Sequence, residues 1–325
     1  MDTDNQNNKY TLIITGCNGF TGYELCRSLA GHFRVIGVAR AGRDVSGLEK
    51  IGVKCITYEE LQDFTGSVLA LVHCAGKIGN TGKWEDFRKI NVQWTKELYQ
   101  LSGKIQAKYF VYISSIAALG YKNRYHQKPL KEDEQPILCR GELYGLSKLR
   151  AEEQLEDARI SSNVRLVVLR PGFIYNRERL SRRQSWLKRG CIVDFDERIP
   201  LVHIQSLIDA VRNVIRAPDL SGIFHVVDDT QPTRRELTAF QLKHGLLIYR
   251  PWQIGFVGFS FLEVVRWVIS KTGLKKMNLP VGFLRASSRF NLRKNIYSNI
   301  ALQKACDWRS MKELSAVLMS STQKK

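Results

Sequence analysis

Residues 11–25 read TLIITGCNGFTGYEL, and they carry the main sequence signal for the fold. It opens with a short apolar run, passes through Gly16, Gly19 and Gly22, and continues into a helical pattern. Glycines between a strand and a helix let the backbone approach a dinucleotide pyrophosphate, because side chains there would obstruct the phosphates and the helix N-terminus. Three glycines in seven residues also occur in plain loops. The position between the first strand and the first helix favours the phosphate-binding turn.

The segments that follow alternate between strands and helices. Strands apolar on both faces are predicted at 34–39, 68–74, 109–114 and 164–169, and helices at 20–31, 86–102 and 142–158. This alternation is typical of a parallel sheet covered by helices on both sides. We therefore predict an α/β protein with a Rossmann-like, doubly wound parallel sheet. Its dinucleotide-binding domain would span 1–175, with 203–228 returning to it, and a smaller C-terminal substrate-binding lobe would span 176–325.

Composition sets limits on class and location. The chain has 325 residues, 44% hydrophobic and 25% charged, which suits a folded protein with a large core. Residues 1–9 are polar and unlike a signal peptide, and the most apolar window, 252–269, is interrupted by Glu263 and Arg266. The seven cysteines are scattered without a CxxC pair, which argues against disulfides and structural zinc. We expect a cytoplasmic protein without a metal site.

The net charge of +19 is unevenly placed along the chain. Segment 177–189 holds six Arg and Lys against one Glu, and segment 251–325 holds 13 against three acids. Such a field favours an anionic partner, either a diphosphate-bearing substrate or a membrane surface, although a merely solvated basic surface is an equal alternative. Nucleic acid is not expected as a partner, because no recognised binding motif is present.

The second predicted strand ends in VAR, with Arg40 at its tip and Arg43 nearby. An acid at this position commonly binds the ribose 2′-hydroxyl of NAD, whereas an arginine accommodates the 2′-phosphate of NADP. The sequence therefore favours NADP(H) over NAD(H). An exposed loop arginine without a ligand is the alternative.

Tyr144 and Lys148 form the candidate catalytic pair. They lie four residues apart on a predicted helix, so their side chains share one face. A phenol has a pKa of about 10, and a neighbouring ammonium lowers that pKa toward the working range of an acid–base catalyst. Ser114 and Ser115 follow the preceding strand, at the edge where open α/β sheets bind ligands. A serine there would hydrogen-bond a substrate carbonyl or hydroxyl, and the sequence leaves open which of the two does so.

Six motifs carry a resemblance to a known family. They are TGCNGFTG (15–22), HCAG (73–76), NVQWT (91–95), YISSIAALG (112–120), YGLSK (144–148) and LRPGFIY (169–175). In order and spacing they resemble the extended short-chain dehydrogenase/reductases, the NAD(P)-dependent sugar epimerase/dehydratase group. The resemblance covers residues 11–228 and continues more faintly to ACDW (305–308), where the family often has leucine–glycine–tryptophan.

The resemblance implies a role for each matching residue. Ser115 would polarise the reacting oxygen, Tyr144 would be the general acid/base, and Lys148 would lower the tyrosine pKa and bind the nicotinamide ribose. Asn91 would support the site from the neighbouring helix. The residues implied at the cofactor are Gly16, Gly19, Phe20, Gly22, Arg40, Ala75, Gly76, Tyr144, Lys148, Pro171 and Gly172.

Three stretches depart from the family pattern. The Gly-Asp motif whose acid contacts adenine in the family is absent from CITYEELQDF (55–64). Asp63 is the only aspartate in that stretch, and it does not match the motif. VHIQS (202–206) replaces a common Val-His-Val-Asp-Asp, and Asn176 stands where glycine is frequent. These departures affect the expected adenine contacts and loop geometry, and none removes a catalytic group.

Arg40 favours a reductase, because epimerases of this family mostly retain NAD whereas simple ketone reductions use NADPH. The basic loop 177–189 and four residues of the lobe suit a diphosphate, which guanidinium groups bind by forked hydrogen bonds. These four are Arg285, Arg289, Arg293 and Lys294. Segment 252–284 also resembles 4-keto-sugar reductases of bacterial surface-polysaccharide synthesis.

We therefore predict an NADPH-dependent reductase of a 4-keto-hexose linked to a nucleotide diphosphate or a polyprenyl diphosphate. The alternatives are a sugar-nucleotide epimerase, a 3β-hydroxysteroid-type dehydrogenase with an apolar pocket, and a non-catalytic NADP(H)-sensing protein. The aromatic-rich stretch 252–267 would permit peripheral contact with an anionic membrane, although an amphipathic core helix explains it more simply. A homodimer is a further candidate, since four-helix dimer packing is common in such families.

Overall fold

The computed structural model describes residues 10–120, 128–138, 141–182, 191–193, 198–246, 252–254, 295–311 and 314. The strands in these residues are β1 (Thr11–Thr15), β2 (Arg34–Ala39), β3 (Lys54–Thr57), β4 (Val68–His73), β5 (Tyr109–Ile113), β6 (Arg165–Pro171), β7 (Phe173–Tyr175), β8 (Cys191–Val193), β9 (Leu201–His203), β10 (Gly222–Val226) and β11 (Trp252–Ile254). Seven of them form one sheet in the order β10-β6-β5-β4-β1-β2-β3. Two further pairs, β7 with β9 and β8 with β11, form small sheets.

Every pairing in the seven-stranded sheet is parallel. The strand order reverses between β1 and β4, and a crevice at such a switch point is where open α/β sheets bind ligands. Strand β10 pairs with β6, so residues 222–226 belong to the same sheet as the N-terminal strands. The predicted Rossmann-like fold is confirmed.

Helices connect the strands and cover both faces of the sheet. They are α1 (Phe20–Leu29), α2 (Ser46–Glu49), α3 (Tyr58–Gln62), α4 (Trp84–Phe87), α5 (Trp94–Lys104), α6 (Leu143–Arg159), α7 (Arg177–Arg182), α8 (Ile204–Arg216), α9 (Arg234–Lys243) and α10 (Ile300–Cys306). Helices α1 and α8 pack together on one face, whereas α5 and α6 pack together on the other. Each face buries aliphatic side chains, and their removal from water is the main stabilising term of the fold.

The structure adds local detail that the periodicity did not predict. The predicted helix 86–102 is divided into α4, a π-helical turn at Arg88–Gln93, and α5. Strand β3 was not among the predicted strands, because its residues KCIT are only partly buried and lack the apolar run of the central strands. It lies at the edge of the sheet, where burial demands less apolar character.

The segment ACDW packs against the main core. The side chain of Trp308 is fully buried, and its indole Nε1 donates a hydrogen bond of 2.8 Å to the carbonyl of Ser206. Asp307 ends α10 with a left-handed backbone (φ +49°), a conformation that turns the chain toward the core. Among the described residues, the helices are all too short or too polar to cross a bilayer.

Candidate active site

The glycine turn between β1 and α1 is built by close backbone contacts. The amides of Gly16 and Cys17 both donate to the carbonyl of Val38, at 2.8 and 3.2 Å. Gly16 has φ +70°, and a Cβ there would lie 2.9 Å from Cα of Ala75. A Cβ at Gly22 would lie only 2.3 Å from the Gly16 carbonyl oxygen. Only glycine fits both positions, and the turn therefore brings the carboxyl ends of β1, β2 and β4 together.

Helix α1 begins at this turn. Gly19 is extended (φ −89°, ψ 163°) and directly precedes Phe20, the first helical residue. Because Gly19 supplies no side chain to cap the helix, the amides of the first turn are open to a ligand from the crevice. Together with the partial positive charge of a helix N-terminus, this arrangement fits the pyrophosphate of a dinucleotide.

Helix α6 holds Tyr144 and Lys148 at the carboxyl end of β5. The Lys148 Nζ lies 5.9 Å from the centroid of the Tyr144 ring and donates a hydrogen bond of 2.9 Å to the carbonyl of Ile113. Burial lowers the pKa of Lys148 to about 8, partly offset by the negative charge of Glu152. At neutral pH the side chain is still mainly an ammonium, so the structure holds a positive charge beside the Tyr144 ring.

The two serines after β5 point to different partners. The Ser114 hydroxyl donates a hydrogen bond of 2.5 Å to Oε1 of the buried Glu152. The Ser115 Oγ accepts a hydrogen bond of 3.1 Å from the backbone amide of Ala117. Ser115 thereby caps the start of a 3₁₀ turn over Ile116–Leu119. Ser114 is therefore engaged by the protein interior, and the geometry favours Ser115 as the serine that faces a substrate.

Asn91, in the π-helical turn, ties three parts of the site together. Its Oδ1 accepts the amide of Lys77 at 2.6 Å, and its Nδ2 donates to the Lys77 carbonyl at 2.9 Å and to Ser147 Oγ at 2.8 Å. Ser147 in turn donates to the carbonyl of Tyr144 at 2.8 Å. Asn91 therefore links the chain that follows β4 to the first turns of α6.

A second tyrosine, which sequence reasoning missed, also faces Lys148. The Tyr112 ring is fully buried, and its centroid lies 4.5 Å from Lys148 Nζ. Complete burial and the nearby Glu152 charge raise the pKa of Tyr112 well above its ordinary value. Tyr112 is therefore held protonated, whereas Tyr144 is only half-buried and can reach a ligand. The signal for Tyr112 is its place two residues before Ser114 on the same buried strand.

The first turn of α6 is capped from a distant loop. The amide of Tyr144 donates a hydrogen bond of 3.0 Å to Oδ1 of Asn80, which lies in the segment after β4. Amides in the first turn of a helix have no partner within the helix, and an asparagine oxygen satisfies one of them well. Asn80 therefore positions the helical turn that carries Tyr144. Sequence reasoning missed this residue, because capping patterns are sought next to the helix.

We expect Asn80→Ala to lower turnover about fivefold, because a lost cap destabilises the helix start by about 1 kcal/mol and releases the Tyr144 backbone. Cofactor affinity should remain unchanged, since Asn80 contacts the helix and not the glycine turn. Steady-state kinetics with a parallel binding titration would measure both. Asn80→Asp, which keeps the acceptor oxygen, should restore most of the turnover, and wild-type turnover in Asn80→Ala would contradict the positioning role.

The far end of the crevice carries Arg40 and an aromatic pair. Arg40 directly follows β2 and is exposed, and its carbonyl accepts the amide of Arg43 in a turn. Tyr58 follows β3, with its ring centroid 5.8 Å from that of Trp94, and burial raises its pKa to about 12. Asp63 lies exposed after α3, about 7.5 Å further along the helix axis than Tyr58. An aromatic side chain, and not Asp63, therefore occupies the position after β3.

The remaining predicted residues lie on the other side of the crevice or outside the described residues. Pro171 ends β6, and a Cβ at Gly172 would lie 2.3 Å from the Pro200 carbonyl oxygen, so the chain passes tightly between β6 and β9. Ala75 and Gly76 directly follow β4 beside the glycine turn. The basic positions 183–189 and Arg285, Arg289, Arg293 and Lys294 lie outside the described residues, as does 252–284 except for β11.

Comparisons with known proteins agree with this fold. The chain is 25% identical over 254 residues to the UDP-glucose 4-epimerase of Vibrio cholerae, a match that covers 70% of this chain and 74% of that protein. The structure of ADP-L-glycero-D-manno-heptose-6-epimerase from Helicobacter pylori matches with a TM-score of 0.72 at 17% identity, covering 99% of this chain and 98% of that one. UDP-glucuronic acid 4-epimerase from Bacillus cereus, in complex with NAD, matches with a TM-score of 0.69 at 15% identity, covering 95% and 96%.

The sheet, the glycine turn and the order of motifs define the class of extended short-chain dehydrogenase/reductases, which are pyridine-nucleotide-dependent enzymes. Residues 12–224 match the sequence profile of the NAD dependent epimerase/dehydratase family, and the chain belongs to that family. The resemblance seen in the sequence motifs is thereby confirmed, as is the prediction of an NAD(P)-dependent enzyme.

Proposed function

We propose that the protein is an NADPH-dependent reductase of a 4-keto-hexose carried on a nucleotide diphosphate or a polyprenyl diphosphate. The observation that carries the proposal is the half-buried phenol of Tyr144 beside the buried ammonium of Lys148, one helical turn away. This pair, with Ser115 at the end of the neighbouring strand, supplies a proton donor and a hydrogen-bond donor for one substrate oxygen. In this proposal residues 1–175 and 203–228 bind the cofactor, and residues 176–325 bind the sugar diphosphate.

The residues act on the substrate carbonyl in a defined order. The bound nicotinamide cofactor supplies the hydride that reduces the ketone carbon. The Ser115 hydroxyl donates a hydrogen bond to the ketone oxygen, and Tyr144 gives its phenolic proton to that oxygen to form the alcohol. The Lys148 ammonium stabilises the phenolate that remains on Tyr144. Asn91 supports the arrangement through Ser147 and the chain after β4.

We expect the wild-type protein to bind NADPH at least about tenfold more tightly than NADH, and Arg40→Ala to remove that preference, because the guanidinium at the tip of β2 would pair with the 2′-phosphate. Fluorescence titration of the two cofactors would measure the ratio. Arg34→Ala is the matched control, since Arg34 is an exposed arginine at the opposite end of the same strand. Equal affinities in the wild-type protein would refute the cofactor assignment.

The substrate class is inferred from charge and from the named relatives. The net charge of +19 and the exposed side chains of Arg177 and Arg179 in α7 favour an anionic substrate. The relatives are named for UDP- or ADP-linked sugars. A polyprenyl-linked sugar would in addition bring the basic protein to a membrane surface.

An NADPH-oxidation assay against 4-keto sugar nucleotides and their lipid-linked forms tests the substrate. We expect stoichiometric NADPH consumption with at least one 4-keto sugar, none with 3-keto steroids, and no reduction of NADP⁺ with 3β-hydroxy steroids. Consumption with steroids alone would favour the steroid dehydrogenase. The 25% identity to a UDP-glucose 4-epimerase supports an epimerase as the second candidate. Interconversion of UDP-sugar 4-epimers without net NADPH consumption would establish that activity in place of reduction.

A further inference from the structure

Helix α7 is held in a fixed position after β7. The Asn176 Oδ1 accepts the amide of Arg179 at 2.8 Å, which caps the helix start and explains an asparagine where glycine is frequent in the family. Leu180 is buried with Tyr175 and Leu201, and its carbonyl accepts Gln241 Nε2 at 2.8 Å. These contacts fix the helix, and Arg179 lies on its exposed side.

The side chain of Arg179 reaches from α7 to the glycine turn. Its guanidinium carbon lies 3.9 Å from the centroid of the Phe20 ring, and its Nη1 contacts the carbonyl of Ile174 at 3.4 Å. Phe20 is the first residue of α1 and directly follows Gly19. The contact therefore places a permanent positive charge against the side chain of the first residue of α1, the helix whose first-turn amides are open to a ligand.

The geometry suits an oxyanion between these groups. A guanidinium directs its N–H donors along its own plane, and in that plane it binds phosphate oxygens in a fork. The first-turn amides and the guanidinium are both electropositive, so an anion that lies between them is attracted to both. Phe20 adds an apolar surface that excludes water from one side of the contact.

We propose that Arg179 binds the pyrophosphate of the dinucleotide cofactor, so that α7 completes the phosphate site begun by the glycine turn. The proposal rests on the cofactor-binding role of that turn, and it is independent of the preference for NADPH because NADP and NAD share the pyrophosphate. It also implies that the bound cofactor connects α1 to α7, a segment of the predicted substrate-binding lobe.

Isothermal titration of the full-length protein with NADP⁺, NAD⁺, adenosine 2′-monophosphate and UDP tests the proposal. We expect Arg179→Ala to weaken the binding of NADP⁺ and of NAD⁺ by the same factor, about tenfold. The affinities for adenosine 2′-monophosphate and UDP should not change. Arg179→Lys should retain part of the affinity. Arg27→Ala is the matched control, since Arg27 is an exposed arginine in the last turn of the same helix as Phe20, and it should bind all four probes as the wild type does.

Two outcomes would overturn the proposal. Wild-type affinity of Arg179→Ala for both dinucleotides would show that the arginine only packs on Phe20. A loss confined to UDP would assign it to the diphosphate of the substrate instead. Arg179→Gln keeps most of the side chain and replaces Arg179→Ala if the alanine variant does not fold. If instead the proposed preference for NADPH is wrong, the wild-type protein will bind NADP⁺ and NAD⁺ with equal affinity. That result leaves the role of Arg179 unaffected.

Discussion

Tyr144→Phe is expected to lower turnover by about 10²- to 10⁴-fold, which is the usual range for loss of a positioned proton donor. The substitution removes only the hydroxyl. The aromatic ring that lies 5.9 Å from Lys148 Nζ is retained, so cofactor affinity should not change. The loss should therefore fall on the chemical step and leave binding intact. Single-turnover kinetics with a parallel cofactor titration would separate the two.

Tyr112→Phe is the matched control for this experiment. Tyr112 lies closer to the same ammonium, at 4.5 Å, but its buried hydroxyl has no hydrogen-bond partner within the part of the chain that the structure describes. Loss of that hydroxyl should leave turnover near the wild-type value. Unaltered NADPH turnover in Tyr144→Phe would remove the proton-donor role and support the alternative of a non-catalytic NADP(H)-sensing protein.

Glu152→Leu is expected to lower the free energy of unfolding by about 3–5 kcal/mol, because it leaves a buried arginine without its counter-charge. The side chains of Glu152 and Arg170 are only 3% and 5% exposed, and Arg170 Nη2 lies 2.6 Å from Glu152 Oε2. Arg170 Nε donates two hydrogen bonds of 3.1 Å to the same carboxylate, and the Ser114 hydroxyl donates another hydrogen bond to it. The pair joins α6 to β6, one helical turn after Lys148.

Chemical denaturation of three variants would test this prediction. Glu153→Ala, at the next position of α6, removes an exposed ion pair with Arg150 and should change the unfolding free energy by less than about 1 kcal/mol. The double variant Glu152→Leu with Arg170→Met should be more stable than Glu152→Leu alone, because no unpaired charge stays buried. A change in Glu152→Leu no larger than that of the exposed pair would contradict the assigned role of the buried pair.

Much of the fold and of the candidate site could be predicted from local patterns. The strand at 11–15, the glycine turn and α1 follow from residues adjacent in sequence, and so does the common face of Tyr144 and Lys148. The capping box at Thr233, with the helix starting at Arg234, is equally local. By contrast, β3 lacks a distinct pattern, and a π-helical turn of six residues cannot be separated from an α-helix by apolar spacing.

Periodicity and motif order are enough to predict the layer architecture, the family and the chemical groups of the candidate site. Which of these groups meet depends on tertiary packing. It directs Ser114 to Glu152 and Ser115 to the amide of Ala117, and it brings Asn80 to the amide of Tyr144 across 64 positions of the chain. These contacts are made between elements, where a turn of a few degrees or a shift of one residue changes the partner. Their formation depends on the packing of the whole sheet and its helices, which no local pattern encodes.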